Sequence, residues 1–131
     1  MRKSLLFVFI LIGFTTISCR TKTDQEVNEI ISKSRVLERV DRFCTDLPKP
    51  VDFIYDNKQI SGNSNTRALV FNYLSDKKPT DIKSFFIDWA NENGWTVVQD
   101  NEYIKGNQTV VINFENFFTS NVNIYCGEKV K

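Results

Sequence analysis

Histidine is absent from all 131 residues. That removes the commonest general base, the ordinary zinc sites and every Ser-His or Cys-His nucleophile pair. Glycine is scarce, with five in the chain, and Gly62 stands alone among turn formers, so no phosphate-cradling loop and no G-x-S-x-G elbow is present. No cofactor is therefore expected. Charge of one sign is lacking too: 17 Lys and Arg stand against 16 Asp and Glu, and no basic run supplies the electrostatic footprint of a nucleic-acid binder. Nor is there an apolar run of spanning length. Leu5 to Ile17 is thirteen residues, which as a helix covers about 20 Å against a hydrocarbon core of about 30 Å.

What is present begins with that apolar run. Arg2 and Lys3 precede it, Leu5 to Ile12 is unbroken, and a short polar end leads to Ser18 and Cys19. These are the three parts of an export signal. Ser18-Cys19 after the apolar run resembles the lipobox of bacterial lipoproteins, in which the thiol receives diacylglycerol and the peptide is cut before it. Thr16 and Ile17 hold the two preceding places in the opposite sense to the usual aliphatic-then-small order. The resemblance implies a cleaved signal over 1–18, lipidation at Cys19, a flexible tether over 19–22 and a membrane partner through the lipid. In that family an Asp after the lipidated cysteine favours inner-membrane retention; Arg20 stands there, implying the outer membrane of a cell that has one. A soluble secreted chain cut nearby and an uncleaved anchor are the alternatives.

Removing residues 1–18 leaves 113, enough for one domain over 23–131, with fifteen basic against sixteen acidic residues. If Cys19 carries lipid, Cys44 and Cys126 remain as a pair in an oxidising compartment and are expected to form a disulfide closing about eighty residues. Two buried free thiols are the other reading.

Thr23 to Glu26 has capping-box spacing, and Val27, Ile30, Ile31, Leu37, Val40 and Cys44 form an apolar stripe. The pattern predicts one helix ending before Pro48 and Pro50. Phe53–Ile60 and Arg67–Leu74 read as a hairpin about the turn formers at 61–65. Pro79 opens a second helix whose buried face is Ile82, Phe85, Phe86, Trp89 and Ala90, closed by Asn93-Gly94 with Trp95 folding back. Trp95–Gln99, Thr109–Glu115 and Val122–Cys126 read as strands, with Tyr103–Lys105 a possible extension of the second hairpin. The fold class is α+β: a single small domain, an antiparallel sheet of about five strands, two helices on one face, in the order α-β-β-α-β-β-β. Thirteen asparagines make the expected loops rich in amides.

Catalysis without histidine falls to carboxylates. Asp88 and Glu92, four apart, share with Asp81 the side of the second helix opposite Trp89, where a solvated face is the simpler explanation; Asp100 and Glu102 fall in an expected turn. Phe117-Phe118, between two strands, is a candidate partner contact, whereas Trp89 and Trp95 are explained by the core. Asn107-Gln108-Thr109 matches a glycosylation acceptor, relevant only in a eukaryote. The leading expectation is a membrane-anchored envelope lipoprotein whose non-enzymatic domain binds an envelope protein or serves a structural role. The rivals are a periplasmic immunity or inhibitor lipoprotein against a toxin or cell-wall hydrolase, and a carboxylate-based hydrolase.

Overall fold

In the computed structural model, residues 22–99, 101–114 and 121–130 are described. They form an α+β domain of three helices and six strands: α1 (Asp24–Ser32), α2 (Arg35–Asp46), β1 (Ile54–Asn63), β2 (Thr66–Leu74), α3 (Pro79–Glu92), β3 (Thr96–Gln99), β4 (Glu102–Lys105), β5 (Gln108–Phe114) and β6 (Asn121–Lys129). The expected first helix is two. Its apolar stripe jumps six positions from Ile31 to Leu37, an offset that does not fall on one helical face. Lys33 closes α1, its N–H donating to the carbonyls of Ile30 and Ile31. Ser34 then adopts an extended conformation, and its Oγ accepts from the Leu37 N–H at 3.3 Å, opening α2 in a new direction. Thr23 caps α1 in the same way, accepting from the Glu26 N–H.

The sixth strand is the other difference. Glu102–Lys105 forms a ladder of its own between β3 and β5, because the turn at Asn101, with φ of 66°, reverses the chain within two residues of Gln99. Glu102 accordingly starts a strand instead of lying in a turn. β1 also runs further than expected, to Asn63, because Gly62 takes φ of 104° where a Cβ would collide with the Thr66 carbonyl.

Every pairing is antiparallel and the strand order is β1-β2-β6-β5-β4-β3. The last strand is therefore central. β2 lends Leu69, Phe71 and Tyr73 to one face, β6 lends Val122, Ile124 and Cys126, and β5 lends Val110 and Ile112. Upon this face lie Val27 and Ile31 of α1, Leu37, Val40 and Cys44 of α2, and Ile82, Phe86, Trp89 and Ala90 of α3. The helices thus occupy one face, as an amphipathic pattern on each element requires. Gly94, with φ of 77°, ends α3, and the Trp95 N–H returns to the Ala90 carbonyl at 2.9 Å. That bond brings the Trp95 ring to 5.0 Å from Trp89.

Cys44 and Cys126 are joined by a disulfide, with Cα atoms 5.9 Å apart and a sequence separation of 82. Both residues are fully buried. The bond fastens α2 to the central strand, and a few residues on, the Arg39 guanidinium grips the buried Glu128 carboxylate at 2.6 and 3.3 Å. Lys49 reaches back to cap α2, donating to the Cys44 and Thr45 carbonyls at 2.9 Å each. Desolvation there lowers its pKa, against the attraction of Asp46. Among the described residues no helix is long and apolar enough to cross a membrane.

Candidate functional site

Among the concave surfaces of the described residues, two flank β1, one on each side. On the helix side, a notch of about 420 Å³ lies between α1, α2 and the first two strands. Its floor is Phe71 and Tyr73, its rim Tyr55, Lys58 and Asp24. The site is cross-linked by its own side chains. Asp24 accepts from the Tyr55 hydroxyl at 2.5 Å and from the Lys58 N–H at 3.2 Å, which occupies an outward amide of the edge strand. Lys58 lies 5.6 Å above the Phe71 ring with its ammonium 3.0 Å from Asp41. Burial and the Asp24 carboxylate push the Tyr55 phenol above its ordinary pKa, and burial alone pushes Tyr73 to about 12. Neither phenol ionises at neutral pH; the Lys58 ammonium pairs with Asp41, and Asp24 is taken up by the Tyr55 hydroxyl and the Lys58 N–H.

The second concavity lies on the opposite, helix-free face of the sheet. It is a cleft of about 300 Å³ lined by Asp56, Asn57, Gln59, Val70, Asn72, Asn121 and Asn123. Asn72 lies between the core residues Phe71 and Tyr73, and Asn123 between Val122 and Ile124, so the two-residue period turns both amides away from the helices. The thirteen asparagines gave an expectation of amide-rich loops, although four of them, at 57, 72, 113 and 123, fall within the expected strands. Six, at 57, 63, 72, 113, 121 and 123, stand in strands. The signal available was their alternation with apolar residues in Phe71-Asn72-Tyr73, Ile112-Asn113-Phe114 and Val122-Asn123-Ile124.

Of the carboxylates proposed from sequence, those among the described residues do not line either concavity. Asp81, Asp88 and Glu92 are exposed on α3, and Glu102 is half-buried in β4, facing Val111 and Gln99 across the ladder. Asp100 lies outside the described residues, as do the partner-contact pair Phe117 and Phe118 and the lipidation residue Cys19. Trp89 is buried in the core and Trp95 packs against it. Among the described residues no group of three or more Cys, Asp or Glu side chains is placed to hold a metal ion. Compared with known proteins, the chain matches no family model, no curated protein and no solved structure.

Proposed function

We propose that this chain is an exported envelope lipoprotein, cut before Cys19 and held at a membrane surface by lipid on that cysteine, whose folded part is a non-enzymatic binding domain. The observation that carries the reading is the Cys44–Cys126 disulfide across the core, a bond that persists in oxidising compartments and is rare in a reducing cytosol. It accounts for the two cysteines that lipidation at Cys19 leaves over. The export-type pattern over residues 1–19 supplies the route. Arg20, in place of an Asp after the cysteine, directs the anchor to an outer membrane where the cell has one. The absence of histidine and the exposure of Asp88 and Glu92 favour binding over hydrolysis, with an envelope protein as partner.

Intact-mass measurement of the protein extracted from its native membrane tests the reading. The expected spectrum starts at Cys19, carries added acyl mass and lacks the two hydrogens lost in forming the disulfide. A chain that retains Met1, or one free of lipid with its cysteines reduced, overturns it.

A further inference from the structure

The helix-free face of the sheet carries an arrangement that its fold does not require. Asn57 faces Asn72, Asn72 faces Asn123, and Asn123 faces Asn113, so four asparagines form one row across β1, β2, β6 and β5. Asparagine is among the residues strands disfavour, and a solvated sheet face is ordinarily filled by threonine or long charged side chains. Four in register therefore cost stability that another composition would retain. Two of its members are tied together: Asn72 Nδ2 donates to Asn57 Oδ1 at 2.6 Å. A β-bulge between Tyr55 and Asn57 brings Asn57 into this row and sets Asp56 at its rim.

We propose that this row and the cleft around it form a binding site for a neutral glycan. An amide carries two donor hydrogens and two acceptor lone pairs, so one that already makes a hydrogen bond can still match a hydroxyl or acetamido group, which also both donates and accepts. Among the described residues no lysine or arginine lines the cleft and one carboxylate, Asp56, stands at its rim, so phosphates and acidic sugars meet no counter-charge there. Val70 is the cleft's one apolar side chain, too little to hold a lipid chain or an apolar peptide. An extended peptide gains its affinity from the free backbone of an edge strand; the row starts at the edge strand β1 but runs inward over β2, β6 and β5, which are paired on both sides. Beside the row, the half-buried Tyr125 faces Val70 and lies over Gly127, where a Cβ would come within 3.0 Å of both its Cε1 and its hydroxyl oxygen. A ring held along the sheet in this way offers a flat surface for the C–H face of a pyranose. A cleft of about 300 Å³ takes one or two sugar rings, with further rings running along the row.

The site is independent of the anchor, so a failure here leaves the lipoprotein reading standing, and the converse holds. The test titrates the purified full-length protein with linear tetramers of N-acetylglucosamine and of glucose, with an acidic glycan and an extended peptide as comparators. Binding is followed by calorimetry and by the side-chain amide signals in nitrogen-resolved NMR. The expected result is millimolar or tighter binding of at least one neutral tetramer, with shifts at Asn72 and Asn123. Asn72→Ala should weaken it about tenfold, the loss of one well-made hydrogen-bonding group. Asn113→Ala, at an exposed position that the core does not use, should weaken it by a smaller factor without changing the melting temperature. No binding of either neutral tetramer, preferential binding of the acidic glycan or the peptide, or neutral-glycan binding that both variants leave intact overturns the proposal.

Discussion

Cys44 and Cys126 sit with Cα atoms 5.9 Å apart, one on the inner face of α2 and the other at the centre of the sheet. Because their bond closes a loop spanning 82 positions, the chain-entropy argument assigns it about 4.5 kcal/mol. The double variant Cys44→Ala/Cys126→Ala also leaves space in a site where both residues are fully buried. It should lose about 4 kcal/mol in urea titration and melt at least about 15 °C lower. A loss below about 1 kcal/mol would show that α2 docks on β6 without needing the covalent link.

Ser34 sets the angle between α1 and α2 through one hydrogen bond, from the Leu37 N–H to its Oγ at 3.3 Å. Removing that acceptor while keeping the extended backbone isolates its contribution. Ser34→Ala should cost about 1 kcal/mol, and Ser34→Gly only a few tenths. Equal losses for the two variants, measured by chemical denaturation, would assign the break to packing and not to the cap.

The split at Ser34 had a signal in the sequence that the expectation of one helix passed over: a jump of six positions in the apolar stripe from Ile31 to Leu37, and a serine at the place where a new helix opens. Other features were legible because they are local: the face of α3 follows from residue spacing, and the closure at Gly94-Trp95 from chain chemistry. The inward direction of Cys44 and Cys126 followed likewise from the period of their own elements, so their meeting could be expected before any pairing was known. What no local pattern carries is strand order. β6 slots between β2 and β5, an arrangement set by side chains far apart in sequence. The asparagine row exists only once that order and the registers are fixed, since its members come from residues 57, 72, 113 and 123. Read one by one, each is an ordinary polar residue.

Tyr103 is fully buried in β4, its ring 6.2 Å from Trp89, and its hydroxyl has no hydrogen-bond partner among the described residues. Burial pushes that phenol above its ordinary pKa, so it stays protonated throughout the physiological range. A buried donor without a partner carries its desolvation cost uncompensated. Tyr103→Phe keeps the ring and deletes the orphaned group, and is expected to stabilise the domain by about 1 kcal/mol. Thermal melting detects this as a rise of a few degrees. A fall of similar size would mean that a buried water serves the hydroxyl.

Asp52 ties the segment between α2 and β1 to the end of β2. Its Oδ2 accepts from the Ser75 hydroxyl at 2.7 Å and from the Asp76 N–H at 3.2 Å, while Oδ1 is buried without a partner. Desolvation works to raise its pKa, but the two hydrogen bonds together with the charge of Lys77 outweigh it and hold the carboxyl below its usual range. A carboxyl whose folded pKa lies below its unfolded value contributes stability above the unfolded pKa, near 4, and loses it as the pH falls through the folded value. Asp52→Asn should therefore be less stable than the parent at pH 7 and at pH 5. The gap should close steadily below about pH 4, leaving the two proteins with similar urea midpoints near pH 2. A gap that stays constant over this range would assign the contribution of Asp52 to the shape of its side chain and not to its charge.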